Sequence, residues 1–226
     1  MQILSHRYLT IGKSKEKENT LTQLKAALAL GYNFFETDIR LLPSGDFYIS
    51  HDPQASLTAE NDAKEHVKLW KSSGAKIALN IKELGYEEKL VSFLKANGVV
   101  ENCFLFDFDI EFLGAQPNAY IEKISALEAS LMCAVRVSDH NETVDRAIKI
   151  SNSKIIWLDE FDSLWVKRED VIRLKDAGKI IYCIAPDLHN FTHEQTMQRF
   201  EDFISWEVDG ICTDYAEDLK TLIQGI

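Results

Sequence analysis

Short apolar segments and amphipathic segments alternate along the whole 226-residue chain, and this alternation restricts the folds that it can adopt. Eight segments have the apolar, β-branched and aromatic composition of buried strands: Gln2–Arg7, Asn33–Leu41, Lys76–Lys82, Cys103–Asp109, Leu131–Ser138, Lys154–Phe161, Lys179–Ala185 and Val208–Asp214. The stretches between them have helical spacing, and several end at a glycine just before the next strand. Strands that alternate with helices predict a parallel sheet. Eight such units predict an α/β protein with a closed (β/α)8 TIM barrel.

The alternative arrangement is an open, doubly wound sheet. That fold often carries a glycine-rich phosphate loop after its first strand, and no such loop follows Gln2–Arg7. The chain has no low-complexity tract, linker or shift in composition that would mark a boundary. Residues 1–226 are therefore predicted to form one barrel domain.

The charge and cysteine content exclude several classes of function. The formal net charge is −11, with 25 Lys and Arg against 36 Asp and Glu, which argues against nucleic acid and anionic membranes as partners. Each of the four cysteines stands alone inside an apolar segment, as buried thiols do, and not in the spacing of disulfides or zinc sites. The sequence contains neither a signal-peptide pattern nor an apolar run of membrane-spanning length. A cytoplasmic location is the default expectation.

The second predicted strand carries the most informative polar residues. Glu36 and Asp38 follow an apolar run and are two residues apart, so both side chains point to one face of the strand. Paired carboxylates suit a hard divalent cation. A turn at residues 43–46 and a second short strand then lead to His51, and histidine suits proton transfer near neutral pH. This combination predicts metal-assisted hydrolysis.

The other predicted strands also end in polar groups, and a TIM barrel gathers such ends at one mouth. They contribute the following residues: His6 and Arg7, Asn80 and Lys82, Asp107 and Asp109, Arg136 and Ser138, Trp157 and Asp159, Asp187 and His189, and Asp214. Trp157 is a candidate for lining the pocket, and Arg136 for contacting phosphate or for pairing with an aspartate. His189 is predicted to lie in a solvated loop, and His66, among polar neighbours, to be exposed.

Several pieces of the chain, taken in order, resemble the glycerophosphodiester phosphodiesterase family. They are His6-Arg7, Glu18-Asn19-Thr20, Glu36-Thr37-Asp38, His51-Asp52 and Asp209-Gly210-Ile211-Cys212-Thr213-Asp214. The resemblance covers the whole chain and is most specific in its first 52 residues. It implies a TIM barrel of the PLC-like phosphodiesterase type, a phosphoric diester hydrolase that acts on a small-molecule phosphodiester. It also implies a divalent metal cofactor, magnesium or calcium.

The resemblance assigns roles to six residues: His6 and His51 as catalytic histidines, Glu36 and Asp38 as metal ligands, and Arg7 and Lys82 as phosphate-binding residues. Arg136 and Trp157 are added as substrate-binding candidates because of their positions at strand ends. Which histidine acts as acid and which as base stays open. Glu18 also matches a family position, but with Thr20 as an N-cap it is interpreted mainly as part of a helix start.

The chain departs from the family pattern in two places. Where the family has a third metal-ligand Glu, this chain has Asn80, whose neutral oxygen would be a weaker ligand or would only hydrogen-bond the barrel rim. Residues 54–73 leave room for one helix where the family carries a larger insertion, so the glycerophosphodiester substrate stays open. Two other functions remain as alternatives, a non-catalytic barrel that binds a phosphate ligand and another metal-dependent sugar-phosphate enzyme.

Overall fold

The structure is a computed structural model that describes residues 1–107, 117–140 and 142–225, without the side chains of residues 117 and 118. Its described strands are β1 Gln2–His6, β2 Phe34–Leu41, β3 Phe47–Ile49, β4 Lys76–Ile81, β5 Cys103–Phe106, β6 Met132–Val137, β7 Ile155–Leu158, β8 Ile180–Ile184 and β9 Gly210–Thr213. Its described α-helices are α1 Leu21–Ala29, α2 Ala63–Ser73, α3 Glu87–Asn97, α4 Pro117–Leu127, α5 Val144–Lys149, α6 Arg168–Asp176, α7 His193–Ser205 and α8 Ala216–Gln224. Two short 3₁₀ turns, Val100–Asn102 and Pro186–Leu188, complete these elements.

Eight of the strands form a closed parallel barrel. Strand β1 pairs with both β9 and β2, and the ring continues through β4, β5, β6, β7 and β8. The register places His6 opposite Glu36, and Asp38 opposite Asn80. Strand β3 is antiparallel to the end of β2 and forms the predicted hairpin. The predicted (β/α)8 TIM barrel is confirmed.

Two local features differ from the sequence-based prediction or add to it. The strand predicted over Cys103–Asp109 ends at Phe106, because Asp107 has a left-handed backbone with φ of 74°, which a strand cannot accommodate. Asp109 lies outside the described residues. The segment before β4 contains the one helix predicted for it, α2, with Asp62 as N-cap and Gly74 as left-handed C-cap.

The barrel interior is filled by aromatic rings beneath its mouth. Phe34 and Phe104 both contact Tyr182, with ring centroids 5.3 and 5.5 Å from it. Above them, Phe106 and Trp157 lie 4.2 Å apart and form the floor of the mouth. A second apolar core separates the sheet from the helices. All four cysteines are buried free thiols, as predicted.

Replacing Gly210 with Ala is expected to destabilise the barrel by about 1–3 kcal/mol, the usual cost of overpacking. A Cβ at Gly210 would lie 2.9 Å from the Gln2 carbonyl oxygen and 2.9 Å from Leu4 Cδ1, so strands β1 and β9 would have to separate. Urea denaturation of both proteins measures the effect. Gly225→Ala is the control, because a Cβ there would make only ordinary contacts, the nearest at 3.5 Å from the Thr221 carbonyl oxygen, and its φ of −87° suits alanine. Unchanged stability in Gly210→Ala would contradict the close packing.

His66 is buried, so its predicted exposure is wrong. It lies on the inner face of α2 at helical spacing with Ala63 and Trp70, while its charged neighbours in sequence point outwards. Its Nε2–H donates to the Glu60 carbonyl at 2.9 Å, and its Nδ1 accepts from the Tyr8 hydroxyl at 3.1 Å. The histidine therefore ties α2 to the loop that follows β1.

His66 is expected to make stability depend on pH. Burial lowers the pKa of His66 to about 4, whereas the pKa of a histidine in the unfolded chain is about 6.5, so the unfolded state binds the proton first as pH falls. The contribution of neutral His66 to the free energy of unfolding is therefore fully present above the pKa of the unfolded chain. About 2 kcal/mol of this contribution is lost between pH 7.5 and pH 5. Urea denaturation at both pH values should show that the free energy of unfolding falls less between pH 7.5 and pH 5 in His66→Gln than in the wild type. His193→Gln, at an exposed histidine, should keep the full loss, and equal slopes in all three proteins would contradict the prediction.

Candidate active site

The C-terminal mouth of the barrel contains a cavity of about 460 Å³. Eight of the nine residues predicted for the site line it: His6, Arg7, Glu36, His51, Asn80, Lys82, Arg136 and Trp157. The ninth, Asp38, is fully buried and contacts Arg7 and Lys82 in that lining. The barrel therefore brings together residues that are up to 151 positions apart in the sequence, from His6 to Trp157.

Asp38 is surrounded by donors. Its Oδ2 accepts from Asn19 Nδ2 at 2.8 Å and lies 3.1 Å from Arg7 Nε, and its Oδ1 lies 3.6 Å from Lys82 Nζ. Burial alone would raise the pKa of Asp38, but Arg7 and Lys82 outweigh it and lower that pKa. Asp38 is therefore an ionised carboxylate held in a fixed position.

Glu36 has a different environment on the same strand. Its Oε2 accepts from the Arg7 backbone N–H at 3.3 Å and lies 3.6 Å from His6 Nε2. Burial, followed by the charge of Asp38, raises the pKa of Glu36 to about 7. The two carboxylates thus repel each other, and a cation between them would relieve that repulsion.

His6 is oriented by Asp214, which is itself held in place by Asp187. Its Nδ1 lies 2.7 Å from Asp214 Oδ1, so Nδ1–H donates to Asp214 and Nε2 faces the mouth. The backbone N–H of Asp214 and the hydroxyl of Thr213 donate in turn to Asp187. Burial would lower the pKa of His6, but the nearby charges of Asp214 and Glu36 raise it.

His51 is the accessible histidine of the site, with 37% of its side chain exposed. Its Nδ1 lies 2.8 Å from Asp52, which is also ion-paired with Lys15 at 2.7 Å. Burial and then the charge of Arg7 lower the pKa of His51. One imidazole is thus enclosed among carboxylates, and the other is open to the cavity near cations.

Two residues support the site beyond the roles that the sequence predicts for them. Glu18 accepts from Arg7 Nη1 at 2.9 Å, and Asn19 donates to Asp38 while its own Oδ1 accepts from Thr37. Thr20 does cap α1, so the predicted helix start is correct, but the same segment also holds Arg7 and Asp38 in place. Arg7 and Asn19 both have positive φ, 48° and 58°, a conformation that is uncommon outside glycine and tends to occur at functional sites.

The far side of the mouth is built around Arg136. It is ion-paired with Asp107, lies 3.8 Å from Asp159, and stacks 5.0 Å above the ring of Phe161. His189 Nε2 lies 2.6 Å from Asp159 Oδ1 and lines the cavity. The predicted solvated loop for His189 is wrong, because the 3₁₀ turn after β8 directs this side chain over the mouth.

The residues at the mouth fit a hard divalent cation. Asp38 and Asn80 lie opposite each other on β2 and β4, and Oδ1 of each is buried without a hydrogen-bond partner. Unsatisfied oxygens are costly unless a cation or donor occupies the space beside them. Within the described residues no three His, Cys, Asp or Glu side chains form a ligand cluster, so a third ligand here would have to be of another type, such as the amide of Asn80. Glu36, Asp38 and Asn80 therefore form the candidate donor set.

Carboxylates, histidines and cationic side chains at one barrel mouth suit the hydrolysis of a phosphodiester, and a comparison with protein-family models assigns the chain to the phosphoric diester hydrolases. Residues 4–185 match the model described as the glycerophosphoryl diester phosphodiesterase family. The chain therefore belongs to this family of enzymes, which hydrolyse phosphodiesters. No match was found among curated proteins.

Solved structures share the fold at low sequence identity. The glycerophosphodiester phosphodiesterase from Agrobacterium tumefaciens is similar at a TM-score of 0.70 and 15% identity, over 97% of this chain and 99% of that one. The Thermotoga maritima enzyme is similar at a TM-score of 0.64 and 19% sequence identity, over 97% of both chains. An Oleispira antarctica phosphodiesterase, solved with the product sn-glycerol-3-phosphate, gives 0.71 and 17%, over 99% of this chain and 97% of that one. Across the described part of this chain, no helix has the length and apolar character needed to cross a membrane.

Proposed function

We propose that this protein hydrolyses small glycerophosphodiesters with the help of a divalent cation, magnesium or calcium. One observation carries the proposal. Two buried carboxylates, Glu36 and Asp38, meet two histidines and two cationic side chains at a single cavity on the barrel mouth. Burying this many ionisable groups is costly for a fold and is typical of a site that performs chemistry.

Glu36, Asp38 and Asn80 would hold the cation. When bound, it would polarise the phosphoryl oxygens and stabilise the negative charge that develops on them. Family members are generally dependent on a divalent metal, which supports this part of the proposal. The Oδ1 atoms of Asp38 and Asn80, which are buried without a hydrogen-bond partner, support it independently.

Arg7 and Lys82 bind the phosphate in this proposal. Both line the cavity, and both are held by Asp38, so their charges are fixed before the substrate arrives. Cations that need no rearrangement are effective at stabilising charge as it builds up in the transition state. Arg7 is fixed further by Glu18 at 2.9 Å.

His6 and His51 act as the general base and the general acid in this proposal. One imidazole takes a proton from the attacking hydroxyl or water, and the other returns one to the leaving alkoxide. His6 offers Nε2 to the cavity because Asp214 binds its Nδ1, and His51 offers Nε2 because Asp52 binds its Nδ1. Each ring is therefore oriented for transfer at one defined nitrogen.

The far side of the mouth would receive the alcohol groups. Its floor is the Phe106–Trp157 pair, and its walls carry Arg136 and the His189–Asp159 pair. A cavity of about 460 Å³ is within the range of small-molecule sites. The Oleispira antarctica phosphodiesterase binds sn-glycerol-3-phosphate, which supports a glycerol-containing substrate for this chain.

A panel of phosphodiesters tests the proposal. The protein is freed of metal with a chelator, and its activity is measured on glycerophosphodiesters and on diesters without glycerol, with Mg²⁺, Ca²⁺ or Mn²⁺ added. We expect turnover of glycerophosphodiesters only after a metal is restored. Full activity in chelator would contradict the cation's role, and turnover of the other diesters alone would contradict the substrate class.

Binding without turnover would instead support a phosphate-binding barrel, the alternative that the neutral side chain of Asn80 favours. Calorimetric titration with the uncleaved diester distinguishes this result from a failure to bind. The second alternative is another metal-dependent sugar-phosphate enzyme, and its aldolase form would require a Schiff-base lysine in an apolar pocket. Lys82 does not meet that requirement, because its Nζ lies 3.6 Å from the buried carboxylate of Asp38.

A further inference from the structure

The side chain of Asn80 is held in one orientation. Only 8% of this residue is exposed, and its Nδ2 donates to Asp107 Oδ2 at 3.1 Å. Its Oδ1 is buried and has no hydrogen-bond partner. A buried amide oxygen that has no partner in the protein is usually satisfied by a bound water or ion.

The chemistry of Asp107 determines which end of the amide it can bind. Asp107 is ion-paired with Arg136 through Oδ1, and an ionised carboxylate accepts hydrogen bonds but donates none. It can therefore face only the NH₂ group of Asn80, and the amide oxygen must point the other way. Asn80 is opposite Asp38 in the strand register, and neither Oδ1 atom has a hydrogen-bond partner.

We propose that Asp107 is a positioning residue that holds Asn80 with its oxygen toward the cation site. This inference rests on the proposed function, because it requires the cation to bind beside Asp38. In this chain a fixed amide would replace a third carboxylate. Its hydrogen bond to Asp107 would prevent the flipped orientation, in which the NH₂ group faces the cation. Hydrogen-bonding partners of this kind typically alter metal affinity 10- to 100-fold, as an order of magnitude.

Direct ligation by Asp107 is the competing explanation. Both of its oxygens are already in use, Oδ2 by Asn80 and Oδ1 by Arg136. Asp107 directly follows β5, where its left-handed backbone with φ of 74° ends the strand, and its carboxylate contacts Asn80. These contacts favour a positioning role over ligation.

A double-mutant cycle separates the two explanations. Mg²⁺, Ca²⁺ and Mn²⁺ are titrated calorimetrically, without substrate, into four metal-free proteins: the wild type, Asp107→Asn, Asn80→Asp, and both changes together. In the wild-type background, Asp107→Asn should weaken binding by about 10- to 100-fold. The new amide can donate to Asn80 Oδ1 and so turn the oxygen away from the cation. In the Asn80→Asp background the same change should cost no affinity, because a carboxylate presents an oxygen in either orientation.

Other outcomes overturn the inference. An equal loss in both backgrounds would mean that Asp107 is itself a ligand, and no loss in either would mean that the amide orientation is irrelevant. If the wild type binds none of the three metals, the cation's role in the proposed function fails as well. If the wild type binds metal but Asp107→Asn has the same effect on affinity in both backgrounds, only the positioning role is refuted. Asp159→Asn, which removes the other carboxylate near Arg136 but does not touch Asn80, controls for the general loss of charge. Urea denaturation of each variant confirms that it is folded.

Discussion

Replacing His6 or His51 with glutamine is expected to lower kcat by about 10²- to 10⁴-fold, the usual contribution of a general acid or base. Glutamine can still hydrogen-bond Asp214 or Asp52, but it cannot take up and release a proton near neutral pH. Both variants should remain folded, since His51 is partly exposed and the amide at position 6 keeps a donor for Asp214. Turnover under saturating glycerophosphodiester and metal measures the effect.

The control for this pair is His193→Gln. His193 is exposed on α7 and its only described ion-pair contact is a distant one, 3.6 Å from Asp218, so its replacement should leave kcat unchanged. The pH profile adds a second test, because loss of one proton-transfer group should remove one limb of a bell-shaped curve. If either variant at position 6 or 51 retains more than about a tenth of wild-type kcat, well outside the expected range, that histidine does not transfer the proton.

The change Asp38→Asn is expected to abolish measurable metal binding and activity together. Asp38 contributes the buried negative charge that faces Arg7, Lys82 and the proposed cation. Without it two cations border the site, and a third positive charge would be repelled. Metal affinity should fall by more than about 100-fold, beyond the effect typical of outer-shell partners.

Lost stability must be separated from lost metal binding. Breaking a buried ion pair often costs about 3–5 kcal/mol, so Asp38→Asn should also lower the free energy of unfolding. Glu160→Gln is the matched control, because Glu160 is fully buried and is ion-paired with Arg199 outside the cavity lining. It should lose stability but keep its metal affinity. Normal metal binding by Asp38→Asn would show that the cation lies elsewhere.

The fold could be predicted from the sequence because its signals are local. Apolar strand segments such as Lys76–Lys82 and glycine-terminated helices such as the one before Gly74 repeat along the chain, and such a pattern limits the topology to a barrel. The mouth followed from the same logic, since parallel strands carry their ends to one side. The sequence therefore predicts that Glu36, Asp38 and Lys82 lie together at this mouth.

What the sequence could not supply were contacts made by loops and by the inner faces of helices. Asn19 supports Asp38 only because the loop after β1 folds back over the mouth with a positive φ. His189 reaches Asp159 through the geometry of a 3₁₀ turn, which its flanking residues do not signal. His66 has polar neighbours in sequence but faces the core, because it shares the inner face of α2 with Ala63 and Trp70.

Phosphorus-31 NMR of one sample tests the central claim most directly. Metal-free protein is mixed with a glycerophosphodiester, the spectrum is recorded, and Mg²⁺ or Ca²⁺ is then added in steps. We expect the diester signal to persist until metal is present and then to be replaced by that of a phosphomonoester, with no such conversion in Asp38→Asn. Conversion before any metal is added would contradict the account, and so would an unchanged diester signal in wild-type protein that binds both metal and substrate.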